Sequence, residues 1–149
     1  MSDSHGAVEN MIRCVEWVEP QHILFLGDGL GDLSALQRRF PDLPMDAVPG
    51  NCDWSSTDAP ERLIELGGKR ILMMHGHTRG VKYSLMNAKY AAREVDADVL
   101  LYGHTHKAAV DFDGKLYTMN PGSIGNHRAP SYGIITINRD TFDCSVYRL

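Results

Sequence analysis

The chain has 149 residues, 43% of them apolar and 23% charged, with a formal net charge of −4. A chain this long can bury roughly 68–70% of its extended surface, enough for one folded domain without disulfides or structural metal. The acidic balance provides no basic surface for nucleic acid or a membrane. No apolar run reaches the roughly 18–20 residues of a spanning helix. Because the three cysteines are widely spaced, a reducing compartment is indicated. We therefore expect a single cytoplasmic domain over residues 1–149, with no specific nucleic-acid or membrane partner.

The first half of the chain alternates helices with short apolar strands. Apolar residues at offsets of three and four predict a helix over residues 6–18, and the apolar run 22–26 predicts a buried strand that ends at Gly27. Leucines at helical spacing predict a second helix over 30–40. A strand end is expected at 46–48, before a turn-rich loop.

The second half of the chain contains three predicted hairpins. Gly67-Gly68 connects the runs 61–66 and 69–74, which is typical of a tight hairpin. The other predicted elements are a helix over 81–95, a strand over 99–102, a hairpin of 109–112 with 115–119, and a hairpin of 133–137 with 142–148 about Asn138-Arg139-Asp140. Alternating strands and helices followed by hairpins predict mixed sheets with flanking helices.

Residues that commonly bind metals follow most of the predicted strands. They lie in five ordered clusters: Asp3-Ser4-His5, Gly27-Asp28, Gly50-Asn51, His75-Gly76-His77 and Gly103-His104-Thr105-His106. Any one of these clusters alone is more often a turn, a cap or a surface histidine. Together they predict a metal site, because ligands gather beyond the carboxyl ends of strands. Imidazole, carboxylate and carboxamide groups suit Mn²⁺, Fe, Co, Ni or Zn²⁺, and the lack of paired cysteines argues against structural zinc.

With Asn120-Pro121-Gly122-Ser123, these motifs resemble the calcineurin-like metallophosphoesterases, and more narrowly their small YfcE-like phosphodiesterase branch. The resemblance extends over essentially the whole chain. It implies an α/β fold, a four-layer α/β/β/α sandwich of two mixed sheets flanked by helices. It also implies a metal-dependent phosphodiesterase, in which a hydroxide bridging two metals attacks the phosphodiester bond.

The resemblance also implies a ligand set for two divalent cations, with Mn²⁺ expected first and Ni²⁺, Fe²⁺, Co²⁺ or Zn²⁺ as alternatives. Asp28 would bridge the two ions. Asp3, His5 and His106 would complete one site, and Asn51, His75 and His104 would complete the other.

Three residues are candidates for catalysis on the same grounds: Asn51, Cys52 and His77. His77 would contact phosphate or the leaving oxygen at the rim, or alternatively hold the loop by a hydrogen bond. Cys52 stands where many superfamily members have the histidine presumed to protonate the leaving group. A thiol with a pKa near 8.5 donates a proton only weakly, so Cys52 can also be read as a small residue lining the pocket.

Two other functions use the same fold. One is a non-catalytic protein-binding scaffold like the retromer subunit Vps29, against which the intact ligand set argues. The other is a phosphomonoesterase with the same metal site. The short chain has no long insertion to cap the site, so we expect an open site for small phosphodiesters. Self-association as a homodimer or homotetramer is expected through the C-terminal strand, which can lie at a sheet edge.

The N-terminus departs from the family pattern, in which a buried apolar strand precedes the Asp-x-His pair. Only Met1 and Ser2 precede Asp3, too few for a usual strand of about five residues. Such a strand would contribute roughly 6–12 kcal/mol through about four buried apolar side chains. We therefore expect the first strand to be missing and the chain to be a shortened version of the natural product.

Overall fold

The computed structural model describes residues 1–139 and 141–149. The helices are α1 (Val8–Val18), α2 (Leu30–Arg39) and α3 (Met86–Glu94), with a 3₁₀ turn at His77–Arg79. The strands are β1 (Ile23–Phe25), β2 (Met45–Ala47), β3 (Glu61–Leu66), β4 (Lys69–Met74), β5 (Val99–Tyr102), β6 (Ala109–Phe112), β7 (Tyr117–Asn120), β8 (Ser131–Ile137) and β9 (Phe142–Arg148). None of the helices in the described part of the chain has the length and apolarity that crossing a bilayer requires.

The strands of the described residues form one five-stranded sheet and two strand pairs. The large sheet has the order β3-β4-β5-β7-β6, with parallel pairing of β4, β5 and β7 and antiparallel strands at both edges. Strand β1 pairs with β2 in parallel, and β8 pairs with β9 in antiparallel register. The large sheet is therefore mixed, as the sequence predicts.

Alternating side chains of β4 and β5 bury both faces of the large sheet, because successive residues of a strand point to opposite sides. One set, Leu72, Met74, Leu100 and Tyr102, packs against the alanines of α3. The other set, Ile71, Met73, Val99 and Leu101, packs against apolar residues of β1, β8 and β9. The large sheet thus lies between α3 and the two strand pairs.

Helices α1 and α2 cover the far side of β1 and β8. Their buried side chains, among them Met11, Val15 and Leu36, share a core with Phe25 and Tyr132. The order of layers is α1/α2, the strand pairs, the five-stranded sheet and α3. This arrangement confirms the expected α/β/β/α sandwich.

Most predicted elements are confirmed within one or two residues, and the hairpin about Gly67-Gly68 has the predicted bounds. The helix predicted over 81–95 is wrong at its start, since α3 begins at Met86. Residues before it belong to a turn, in which the Val81 amide donates to the Gly76 carbonyl at 3.3 Å. Of the predicted turn at Asn138-Arg139-Asp140, Asp140 lies outside the described residues.

The first three residues form backbone hydrogen bonds on both sides, although they are not assigned to a strand. On one side, the Met1 amino group donates to the Leu24 carbonyl at 2.8 Å, and the Leu26 amide donates to the Met1 carbonyl at 3.0 Å. On the other side, the Ile124 amide donates to the Ser2 carbonyl at 3.1 Å. The segment carrying Asp3 is therefore anchored between β1 and the chain that precedes β8.

An apolar groove of about 500 Å³ lies beside Met1, between β1 and β8. Its lining includes Ile23, Tyr132 and Ile134. The Met1 amino group lies at this groove, and burial lowers its pKa to about 6. A charged amine is costly at such a place, because it loses hydration to an apolar surrounding.

Filling this groove should stabilise the fold. We expect five or six alternating apolar residues joined ahead of Met1 to raise Tm by roughly 5 °C or more, since each buried apolar side chain contributes roughly 1.5–3 kcal/mol. Thermal melts followed by circular dichroism measure the change. An extension of the same length made of glycine and serine is the control, and equal Tm values for the two extensions would contradict the expectation.

Candidate metal centre

Four turns bring the predicted ligands together at one edge of the two sheets. The turns follow the Met1–Asp3 segment, β1, β4 and β5, and the loop after β2 adds Asn51. Two groups of three side chains each offer ligand atoms within 4.8 Å of one another. The groups are Asp3 with His5 and His106, and Asp28 with His75 and His104.

Asp28 belongs to the group with His75 and His104 and also faces His5 of the other group. Its Oδ2 is 3.5 Å from Nε2 of His75 and 3.8 Å from Nε2 of His5. Its Oδ1 accepts the amide of Cys52 at 2.7 Å. Burial opposes ionisation of Asp28, but the Cys52 amide and the imidazoles of His75 and His5 outweigh it, so the pKa of this carboxyl is lowered. Asp28 is therefore a buried carboxylate with one oxygen directed at both groups.

His75 is held in one tautomer by the backbone. Its ring is fully buried, and Nδ1 lies 2.7 Å from the carbonyl of Leu26. A carbonyl can only accept, so Nδ1 carries the proton and Nε2 presents its lone pair. Nε2 lies 3.1 Å from Nδ1 of His104 and 3.2 Å from Oδ1 of Asn51. Burial, with His75 and Lys82 nearby, lowers the pKa of His104 to about 4, so its imidazole is neutral near pH 7.

The group of Asp3, His5 and His106 includes the N-terminal ligand candidates. Asp3 is fully buried; its Oδ2 accepts the hydroxyl of Ser2 at 2.5 Å and the amide of His104 at 3.2 Å. Its Oδ1 lies 3.1 Å from Nε2 of His106 and accepts no hydrogen bond from the described residues. Nε2 of His5 is 3.5 Å from Nε2 of His106.

Five of these ligand candidates have a left-handed backbone, which is rare for residues other than glycine. The seven such residues of the described chain are Asp3, His5, Glu19, Asp28, Asp96, His104 and His106. A non-glycine residue in the left-handed backbone conformation costs about 1–3 kcal/mol of conformational energy. Such residues cluster at functional sites. This concentration of strain at one edge of the sheets indicates that the turns are shaped to point side chains at a common place.

The donor set fits divalent cations. A buried carboxylate oxygen without a hydrogen bond, such as Oδ1 of Asp3, is costly unless a cation or a donor compensates it. Imidazole nitrogens, carboxylates and an amide oxygen converge from several directions, as in sites for first-row divalent metals. The Leu26 carbonyl that orients His75 is the kind of outer partner that metal-binding histidines usually have.

The three candidate catalytic residues lie around this centre. Asn51 contacts His75 as described, and its Nδ2 lies 3.4 Å from the sulfur of Cys52. Burial and the negative charge of Asp28 raise the pKa of the Cys52 thiol. The ring centroid of His77 lies 5.4 Å from that of His75, and its buried Nδ1 has no hydrogen-bond partner in the described part of the chain. Burial and His75 lower the pKa of His77.

Sequence reasoning missed the role of Asp53, which lies two residues after the predicted ligand Asn51. Its carboxylate accepts four backbone amides. Oδ2 accepts those of Asp28 and Gly50, each at 2.8 Å, and Oδ1 accepts those of Gly29 at 3.0 Å and Leu30 at 2.9 Å. One side chain thus joins the turn that carries Asp28 to the turn that carries Asn51.

Two further side chains hold the remaining ligand turns. Oδ2 of Asp32 accepts the hydroxyl of Ser4 at 2.6 Å and the amide of Gly6 at 2.7 Å, around His5. The buried amide of Asn120 donates to the Gly103 carbonyl at 2.9 Å, beside His104. The Asn120-Pro121-Gly122-Ser123 motif was the sequence signal for Asn120. For Asp32 the only signal was an acidic residue in the first turn of a helix, which is too common to single out.

Comparison with known proteins agrees with this geometry. A family model for the calcineurin-like phosphoesterase superfamily domain matches residues 1–140. The chain belongs to this superfamily. YsnB of Bacillus subtilis, named a probable metallophosphoesterase, is 38% identical over 99% of this chain and 88% of its own length. Phosphodiesterase YfcE of Escherichia coli is 30% identical over 90% of this chain and 84% of its own length.

Solved structures have the same fold. A predicted phosphoesterase from Streptococcus pneumoniae superposes with a TM-score of 0.82 at 28% identity, over 99% of this chain and 86% of that one. Vps29 of Entamoeba histolytica in complex with Zn²⁺ has a TM-score of 0.68 at 22% identity, over 93% of this chain and 87% of its own. The resemblance to metallophosphoesterases is thus confirmed, and the likeness to Vps29 shows a shared fold.

Substituting Asp53 tests whether it positions the ligand turns. Asp53→Asn leaves one acceptor oxygen for four amides, so the free energy of unfolding should fall by roughly 2–4 kcal/mol. The affinity for Mn²⁺ should fall about tenfold to a hundredfold, as for other groups that orient metal ligands. Urea unfolding and titration calorimetry measure the two effects.

Asp113→Asn is the matched control. Asp113 also accepts two backbone amides, those of Lys115 and Leu116, but in the turn between β6 and β7. Its substitution should leave Mn²⁺ affinity unchanged. Equal losses of affinity in both variants would show that Asp53 has no specific effect on the ligand turns.

Proposed function

We propose that this chain is a metal-dependent phosphodiesterase that hydrolyses small phosphodiesters at a dinuclear centre. The observation that carries the proposal is the position of Asp28, whose Oδ2 faces His75 on one side and His5 on the other. A carboxylate shared by two donor groups is suited to hold two cations close together.

The proposed ligands are Asp3, His5, Asp28 and His106 for one ion, and Asp28, Asn51, His75 and His104 for the other. We propose Mn²⁺ as the metal, with Ni²⁺, Fe²⁺, Co²⁺ or Zn²⁺ as alternatives, because nitrogen and oxygen donors suit all of them. When bound, the two cations would supply the activated water nucleophile and the positive charge that attracts phosphate oxygens.

The protein's own contribution is to fix the protonation state and the orientation of these donor groups. The low pKa of His104 leaves its nitrogen available for a cation near pH 7, since no proton has to leave first. The Leu26 carbonyl fixes the ring of His75, and the Cys52 amide fixes Asp28. Donors held in advance need little rearrangement when substrate and transition state bind.

Cys52 and His77 are the proposed groups at the leaving oxygen. The raised pKa of Cys52 keeps the thiol protonated near neutral pH, so it can donate a proton, although weakly. The lowered pKa of His77 makes its imidazole neutral there, which suits it to hydrogen bonding with phosphate or the leaving oxygen. Such an arrangement favours substrates with good leaving groups.

We propose specificity for diesters because the related protein YfcE is named a phosphodiesterase. A phosphomonoesterase would use the same donors. The exposed positions of Asn51 and Cys52 leave the site open, which supports small diesters of varied structure. A cytoplasmic location is proposed because all three cysteines are free.

The competing function is a protein-binding scaffold of the Vps29 kind. Each proposed site has three donor side chains whose ligand atoms lie within 4.8 Å of one another, which supports the enzyme. Hydrolysis of a chromogenic phosphodiester with each divalent metal, before and after chelation, separates the two functions. Metal-dependent hydrolysis that chelator abolishes supports the enzyme, whereas inactivity with every metal supports the scaffold. A chromogenic monoester measured in parallel separates diesterase from monoesterase activity.

Asp28→Asn should abolish most of the activity. The substitution removes negative charge facing both donor groups, so we expect kcat/KM to fall by about two orders of magnitude or more, equivalent to roughly 2.7 kcal/mol or more. Diester hydrolysis at saturating Mn²⁺ measures this, with circular dichroism to show that the fold survives. Asp111→Asn, which removes an exposed carboxylate of β6, is the control. Near-normal activity of Asp28→Asn would contradict the dinuclear assignment.

Cys52→His should extend activity toward poor leaving groups, because imidazole is a better proton donor near neutral pH than a thiol. The measurement is the ratio of kcat/KM for an alkyl diester to that for a nitrophenyl diester. Cys52→Ser controls for loss of the thiol. A ratio unchanged from that of the native protein would rule out a proton-donor role at this position.

We also propose self-association as a homodimer or homotetramer. Strand β9 pairs only with β8 among the described residues, so its other edge offers unpaired backbone groups. Light scattering at increasing concentration should give a mass of two or four chains. A Pro substitution at Ser145, in the middle of β9, should reduce association, and a monomer at high concentration would contradict the proposal.

A further inference from the structure

A third group of metal-type donors overlaps the proposed centre. His5, Asp28 and Cys52 each offer one ligand atom within 4.8 Å of the other two. Ligands of one tetrahedral ion lie roughly 3.3–3.8 Å apart when its bonds are 2.0–2.3 Å long. Small side-chain rotations would therefore bring the sulfur of Cys52 onto an ion held by His5 and Asp28.

The backbone places Cys52 for such a contact. Its amide donates to Oδ1 of Asp28 at 2.7 Å, and the adjacent Asp53 fixes the turn through four amides. With the backbone fixed, the sulfur of Cys52 can move toward the ion by rotation about χ1 alone. A second observation concerns the same proposed ion: Oδ1 of Asp3, in a fully buried side chain, accepts no hydrogen bond from the described residues and has only the imidazole of His106 as an ion-pair partner, at 3.1 Å.

Cys52 also differs from the other two cysteines. Cys14 lies on the buried face of α1, and Cys144 packs between the sheets; they are 3% and 4% exposed. Cys52 is exposed. Reagents that attack thiols should therefore reach Cys52 first in the folded protein, and the two buried cysteines serve as internal controls.

We propose that Cys52 is a conditional metal ligand, which binds a thiophilic divalent ion held by His5 and Asp28 and does not bind Mn²⁺. The proposal rests on the metal centre of the proposed function. As the sulfur–metal bond forms, the thiol proton passes to solvent. Zn²⁺, Co²⁺ and Cd²⁺ accept thiolate ligands, whereas Mn²⁺ prefers oxygen and imidazole.

If Cys52 binds only thiophilic ions, the identity of the bound metal determines whether the Cys52 sulfur is free or coordinated. With Mn²⁺, Cys52 keeps its proton and stays available at the leaving oxygen. With Zn²⁺, the sulfur of Cys52 would be bound to the ion, so Cys52 could no longer donate a proton at the leaving oxygen. The protein would then hold Zn²⁺ more tightly while turning over diesters more slowly than with Mn²⁺.

Cobalt provides the direct test, because a bound thiolate gives Co²⁺ an intense charge-transfer absorption in the near ultraviolet. We expect this band when the metal-free protein is titrated with Co²⁺. Cys52→Ser should lose the band, while Cys14→Ser and Cys144→Ser should keep it. Visible bands of Co²⁺ report binding in every variant, whether or not sulfur is a ligand.

Two further measurements use Zn²⁺ and Mn²⁺. Zn²⁺ should slow alkylation of Cys52 by iodoacetamide, followed by mass spectrometry, and Mn²⁺ should leave the rate unchanged. Cys52→Ser should lower Zn²⁺ affinity by about tenfold, equivalent to about 1.4 kcal/mol, with little change for Mn²⁺.

The outcomes separate this proposal from the proposed function. Visible Co²⁺ bands without the charge-transfer band would overturn Cys52 as a ligand and leave the metal centre standing. A charge-transfer band that depends on Cys52, with no diester hydrolysis by any metal form, would support the ligand and overturn the enzyme. If Co²⁺ does not bind, both the metal centre and the ligand role of Cys52 are overturned. If the charge-transfer band survives in Cys52→Ser, the ligand role of Cys52 is overturned.

Discussion

The carboxylate of Asp53 is the interaction on which the ligand geometry depends. It accepts four amides from two turns that are more than twenty residues apart in sequence. Gly29 precedes α2 and has no side chain that could cap the helix. Asp53, which is remote in sequence, instead accepts the amides of Gly29 and Leu30 at the start of α2. Without this acceptor, partly buried amides would lose their partners, and the turns holding Asp28 and Asn51 would no longer be joined.

The same two turns are also in close steric contact. A Cβ atom on Gly27 would meet the backbone nitrogen of Gly50 at 2.3 Å, and one on Gly50 would meet Oδ1 of Asp28 at 2.1 Å. Only glycine allows this approach, and at Gly27 the backbone has a φ of 90° as well. Close packing explains how the strained, left-handed backbone of Asp28 persists, since the neighbouring turn leaves it no room to relax.

Local signals were sufficient to predict much of the fold and the composition of the candidate site. Gly67-Gly68 predicted the hairpin of β3 and β4, and the histidines after β4 and β5 followed from strand ends. The role of Asp53 could not be predicted, because its partners are backbone amides that only tertiary folding brings near it. The start of α3 was missed for a similar reason. Val81 packs against Gly76, where an added Cβ would lie 2.8 Å from its methyl groups, and its amide donates to the Gly76 carbonyl, so its backbone belongs to the turn after β4.

The N-terminal segment shows that a ligand turn can be fixed without a full strand. Sequence reasoning treated Met1 and Ser2 as too short to support Asp3 and His5. In the structure, the Asp3 carbonyl accepts the hydroxyl of Ser123 at 2.8 Å and the amide of Gly125 at 3.2 Å. The Asp3 amide donates to Gly27 at 2.9 Å on the opposite side. Asp3 is thereby held on both sides by hydrogen bonds to neighbouring turns, so the position of this ligand candidate does not depend on an assigned strand before it.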